Sequence, residues 1–122
     1  MSDKADRIHE YLEDMEKSAT RVGKYTADMT LMDFVKNDMC MAAVVREIEI
    51  MGEASKRIRD AKGERHPKDS PWTGVLKMRD HVIHQYDGVD PEVVWEVVQN
   101  DLPELRRVVA EELAKFDSKT PA

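Results

Sequence analysis

Within residues 77–90, KMRDHVIHQYDGVD, an arginine, two histidines and a tyrosine fall inside eight residues, just ahead of a glycine. That combination suits phosphodiester chemistry. A guanidinium stays charged at any working pH, and its planar fork matches two phosphate oxygens. An imidazole with an ordinary pKa of about 6.5 can take up or release a proton at neutral pH. Together they cover what cleavage of RNA by its own 2′-hydroxyl needs, which is proton transfer and stabilisation of developing charge, with no metal required. Arg79 and His84 are five residues apart, so on a helix they point about 140° away from each other. Only the length of the arginine could bring its head to the histidine's side. Asp80 lies four residues before His84 on the same face, where a carboxylate would favour the imidazolium and fix the ring. Tyr86 falls at the helix end, where its hydroxyl can reach solvent or a partner.

The same residues also fit a plain helix end. Arg79 then becomes a surface cation, His84 a satisfied histidine whose charge suits the helix dipole, and Tyr86 a rim aromatic. His81 and His84, at i and i+3, could hold a metal together with Asp80. The chain offers no cysteine partner or third histidine close by, so no metal is expected. Spacing by itself leaves these readings side by side.

The elements that must position these groups read as helices throughout. Ile8, Leu12, Met15, Ala19 and Val22 step by four and three, one apolar stripe starting near an N-cap at Ser2 and ending at Gly23. A second helical region opens around Met29–Thr30 and carries Leu31, Phe34 and Val35. Asn37 or Asp38 caps the next, long helix, with Val44, Ile48, Met51 and Ile58 in period. Gly52 sits in mid-helix, where it costs about 1 kcal/mol relative to alanine, and it predicts the close approach of another backbone. Ser70-Pro71 reads as N-cap and first residue of the motif helix, which Gly88 ends. Asp90-Pro91 opens a helix through Val93, Val94, Val97 and Val98, and Asp101 with Pro103 restarts a last one through Leu105, Val109 and Phe116. The expected fold is all-α, an up-and-down bundle of four to five helices in a single domain over residues 1–122, with 117–122 as a frayed tail.

Composition narrows the function classes. Charged residues are 36% and hydrophobic ones 41%, a globular balance. A net charge of −6 argues against bulk, sequence-independent nucleic-acid binding, and no DNA partner is expected. A local basic cleft stays open: residues 55–69, SKRIRDAKGERHPKD, set six cations against three anions. That stretch is either an RNA-facing rim or a solvated helix end whose cations suit the dipole. The single Cys40 allows no internal disulfide and no cysteine-based zinc cluster. The charged N-terminal residues have no apolar h-region, and no run approaches the ~20 apolar residues of a membrane span. A cytoplasmic location and no membrane contact are expected.

The stretch SPWTGVLKMRDHVIHQYDGVDPEVVWEVVQNDLPELR, with REIEIMGEASKRI before it, resembles the HepT-like branch of the HEPN superfamily. The family's mark is an arginine, four residues, a histidine, one residue and a tyrosine, here Arg79, His84 and Tyr86. Pro71-Trp72 and the run from Val89 to Leu105 stand in the right order around it, and the likeness covers the chain from about residue 30 onward. The resemblance implies a HEPN-like bundle that dimerises, placing two motif copies in one cleft. It implies a metal-independent endoribonuclease toxin of a type VII toxin–antitoxin pair, with RNA as substrate and no cofactor. Its partner would be an MntA-like nucleotidyltransferase antitoxin that AMPylates the motif tyrosine. On that likeness Arg79 binds the scissile phosphate, His84 is the general acid–base, Tyr86 is the modification site, and Asp80 and His81 are supporting groups. Asp80 departs from the asparagine or other neutral polar residue that many members carry after the motif arginine. A second reading, from a different class, is a non-catalytic nucleotide- or substrate-binding subunit of a nucleotidyltransferase complex; a third is a purely structural dimerisation module.

Overall fold

Helix α1 (Lys4–Tyr25) begins where a side chain can cap it. The structure, a computed structural model, describes residues 3–63, 72–83 and 89–119. Asp3, and not the expected Ser2, is the N-cap: its carboxylate accepts the Asp6 N–H at 2.8 Å. It supplies both the acceptor and a negative charge to the positive end of the helix. The helix also runs through Gly23, where a break was expected. Val22 beside it is fully buried, and that anchored stripe outweighs a glycine penalty of about 1 kcal/mol. The actual stop is at Thr26, whose N–H and hydroxyl both bond the Val22 carbonyl, at 3.1 and 2.9 Å.

Short α2 (Leu31–Val35) is held by a reciprocal capping box. The Thr30 hydroxyl accepts the Asp33 N–H at 3.1 Å, and the Asp33 carboxylate accepts the Thr30 N–H at 3.0 Å. Those donors, the Thr30 backbone first, hold the Asp33 carboxyl below its usual range. Asn37 then caps α3 (Asp38–Lys62) by accepting the Cys40 N–H at 2.9 Å. Gly63 ends α3 in the left-handed conformation, φ 68°, the position that favours glycine.

Helix α4 (Thr73–Ile83) carries the motif arginine. Its expected Ser70-Pro71 cap and Gly88 terminator lie outside the described residues. Asp90 caps α5 (Pro91–Glu96), accepting the Glu92 N–H at 2.9 Å, with Pro91 at the first turn as expected. No new helix restarts at Asp101. Instead α5 widens into a π-helical turn (Val97–Asp101) and continues as α6 (Leu102–Lys119), past the Phe116 where a tail was expected. The Leu102 N–H reaches back five residues to the Val97 carbonyl. Pro103 has no N–H to offer, and its ring would press on the carbonyl four residues earlier; a wider turn relieves both problems.

The result is the all-α bundle expected, with no strand among the described residues. Helix α1 runs antiparallel to α3, matching Ser18 to Glu47 and Met15 to Ser55. It also runs antiparallel to α6, where Arg106 meets Glu16 at 3.6 Å and the Phe116 ring packs at a tilt against His9, centroids 5.1 Å apart. The predicted stripe residues Leu12, Met15, Val22, Val44, Ile48, Met51 and Ile58 are all at most 1% exposed. Each such burial is worth about 1.5–3 kcal/mol. Trp72, Val75, Met78 and Val82 fix one face of α4 in the same core, and that anchoring sets where Arg79 emerges.

Candidate active site

On α4 the core positions 75, 78 and 82 recur at three and four, so Arg79 stands on the flank, half-buried against α3. Its stem lies across Gly52. A Cβ at residue 52 would meet the Cβ and Cγ of Arg79 at 3.2 and 3.1 Å and would overlap its Cδ. The close approach expected at Gly52 is therefore made by the aliphatic stem of a side chain, and not by a backbone. Gly52 is itself buried, and its α-helical conformation needs no glycine. Contact with Arg79 is what the missing side chain permits.

Asp80 and His81 are both exposed on α4. Among the described residues neither Arg79 nor Asp80 has an ion-pair partner. His84 and Tyr86 lie outside the described residues, so the structure brings no pair of the five motif groups together or apart beyond Arg79, Asp80 and His81. Among the described residues no three His, Cys, Asp or Glu side chains gather as a metal site.

The basic stretch is largely committed elsewhere. Arg57 pairs with Glu53 at 3.0 Å and lies 5.9 Å from the centre of the Tyr11 ring. Arg59 is 4.0 Å from Asp60, and Lys62 is 3.7 Å from Glu112 on α6. Lys56 alone of the four described cations has no ion pair among the described residues, while Arg65 and Lys68 lie outside them. Glu53 is thus a surface partner of Arg57 and makes no ion pair with the motif helix among the described residues. A groove of about 350 Å³ opens on the other flank of α4, lined by Gly74, Val75, Met78, Asp101, Glu104 and Leu105. Arg79 does not line it, and its two carboxylates oppose a phosphate backbone.

Sequence reasoning missed one buried ionisable group. Glu47, 5% exposed on α3, accepts from Ser18 Oγ at 3.1 Å and from Arg21 Nε at 2.8 Å. The hydrogen bond to Glu47 raises the pKa of Arg21. A glutamate in register with Val44, Ile48 and Met51 was the available signal. It locks α1 to α3 and stands apart from the α4 motif.

With this geometry in place, the comparisons with known proteins decide the family: residues 4–112 match the family described as "Ribonuclease HepT-like". The chain belongs to the HepT-like ribonuclease family. It is similar to the "Probable ribonuclease HepT" of Thermococcus cleftensis, 38% identical over 97 residues, 80% of this chain and 87% of that one. It is also similar to the "Putative RNase MJ1380" of Methanocaldococcus jannaschii, 34% identical over 102 residues, 84% of this chain and 93% of that one. No solved structure gives a significant match. As a HepT-like chain it carries the family's bundle over nearly its whole length. No helix among the described residues is long and apolar enough to cross a membrane.

Proposed function

We propose that this protein is a metal-independent endoribonuclease, the toxin of a toxin–antitoxin pair, working as a homodimer. The observation that carries the proposal is Arg79, seated on Gly52 and without a carboxylate partner among the described residues, in a chain of a ribonuclease family. The 2′-oxygen attacks the adjacent phosphorus while His84 accepts the hydroxyl proton. The bond from phosphorus to the 5′-oxygen then breaks, and an imidazolium, from the same or the partner copy, protonates the leaving oxygen. Products are a 2′,3′-cyclic phosphate and a free 5′-hydroxyl. Arg79 neutralises the charge that builds on the phosphorane oxygens. Its planar fork serves two of them at once.

Tyr86, two residues beyond His84, is the proposed target of a nucleotidyltransferase antitoxin. An added AMP would bring negative charge and bulk into a cleft suited to an anionic backbone. Asp80 and the net charge of −6 favour one other reading, a binding subunit that presents Tyr86 without cutting RNA.

The test incubates purified protein with RNA in EDTA beside His84→Ala, with the mass of the Tyr86 peptide measured. Cleavage that is lost in His84→Ala supports the enzyme. Equal inertness of both proteins, with Tyr86 unmodified, would sink it and leave the binding subunit.

A further inference from the structure

We infer that Gly52 is a positioning residue for Arg79: the absent side chain on α3 is the seat that fixes the arginine stem and so the place of its guanidinium. This rests on the proposed role of Arg79. A glycine in the interior of a long helix is unfavourable, yet Gly52 lies within α3 in an ordinary helical conformation. It is buried, flanked by the core residue Met51 and by exposed Glu53. A Cβ there would overlap the Cδ of Arg79 and crowd its Cγ and Cβ, three successive carbons of one side chain. The Cβ of Arg79 is rigidly attached to α4, which Val75, Met78 and Val82 pin into the core. An alanine at 52 therefore cannot be accommodated by swinging the arginine head alone; the stem must leave its track or α4 must lift.

A contact of this kind matters more for an arginine than for a core residue. The stem supplies the direction of approach, and the fork must meet phosphate oxygens within a few tenths of an ångström to serve two of them. Half-burial against α3 removes most of the rotamers that a free surface arginine would sample, so less freedom is lost when substrate binds. The glycine on the motif helix itself has no such duty. Gly74 is exposed, and an added Cβ there meets nothing within 4 Å.

The experiment compares Gly52→Ala, Arg79→Ala, the double variant and Gly74→Ala as a control. Four quantities are read: kcat and KM for RNA cleavage in EDTA, the urea midpoint, and the Arg79 Nε–H resonance. Displacing a transition-state group by about 1 Å lowers turnover up to about 100-fold, so Gly52→Ala should lose roughly 10- to 100-fold in kcat. In the Arg79→Ala background the same change should cost nothing further. The urea midpoint should fall in Gly52→Ala and fall much less when Arg79 is already alanine, because Cγ and Cδ are gone and only the Cβ contact at 3.2 Å remains. The Arg79 resonance should move in Gly52→Ala and stay in Gly74→Ala. Should Gly52→Ala fail to fold while the double variant folds, the contact is upheld; failure of both overturns it. Wild-type turnover by Gly52→Ala alongside an inactive Arg79→Ala overturns the inference and leaves the ribonuclease reading intact. If the parent protein cleaves no RNA, that reading falls, and the resonance with the urea cycle still decides the contact: an unmoved resonance with additive midpoints overturns it.

Discussion

Replacing Arg79 in steps separates what its stem does from what its head does. Arg79→Met keeps Cβ and Cγ, puts sulfur in place of Cδ, and removes the charge. The contact across Gly52 survives, so stability should stay within about 0.5 kcal/mol of the parent. Arg79→Ala removes Cγ and Cδ. Two methylenes at about 0.8 kcal/mol each, roughly half-buried, predict a loss of about 1 kcal/mol. Arg79→Lys keeps stem and charge but reduces the fork to one ammonium. Losing one charge-assisted hydrogen bond of about 1.5–3 kcal/mol slows cleavage by about 10- to 150-fold. Arg79→Met should lose about 100- to 1,000-fold, the usual effect of deleting a transition-state donor. Single-turnover cleavage of a labelled RNA in EDTA, with urea unfolding of each variant, measures both axes. Two results refute the reasoning: Arg79→Lys cutting as fast as the parent, or Arg79→Met being as destabilised as Arg79→Ala.

Three further expectations concern the scaffold. Glu47→Ala should destabilise the protein by about 1–2 kcal/mol, because a buried carboxylate with Ser18 and Arg21 as donors is lost from the α1–α3 seam. Arg21→Ala should cost less, since that side chain is 42% exposed; urea midpoints of the two decide. Burial pushes the Cys40 thiol above its usual pKa, so alkylation by iodoacetamide should be slower than that of a free cysteine peptide at pH 8. The gap should narrow at higher pH, and equal rates at pH 8 would contradict the burial. Asp33 has a folded pKa below its ordinary 3.8. Its contribution is therefore present above that value and is lost as the pH falls through the lower, folded one. Asp33→Asn should flatten the acid limb of a melting curve and leave the neutral region nearly parallel.

The sequence carried the core and the caps at Asn37 and Asp90 because those depend on local rules. Leu12, Met15, Ile48 and Ile58 recur at helical spacing and are buried, and Asn37 and Asp90 are caps as read. Gly23 misled because its local penalty is small beside the burial of Val22 and Ala19 on the same stripe. Pro103 misled because a proline can be absorbed by a wider turn as well as by a break. For the site, residue types suggested phosphodiester chemistry without deciding it, and Gly52 announced a close neighbour without saying which. That neighbour comes from α4, 27 residues on, and its approach is a tertiary fact that no local spacing encodes. Glu47 lies on the apolar stripe of α3, which signals burial locally, but its partners Ser18 and Arg21 sit on another helix.

The wide turn at Val97–Asp101 gives the rod from Pro91 to Lys119 a reserve of length. An α-helix holds 3.6 residues per turn, and a five-residue step back winds in close to one more. Deleting one residue there need not shorten the rod by a turn. It can tighten the winding to an ordinary α-turn instead, leaving the faces beyond it close to where they were, whereas the same deletion in a regular α-helix would turn them by about 100°. Glu104 and Leu105 line the groove against α4 from beyond that turn, while Val94 ahead of it is fully buried. The face offered to that groove is thus buffered against the loss of one residue in the turn, and α5 keeps its place in the core.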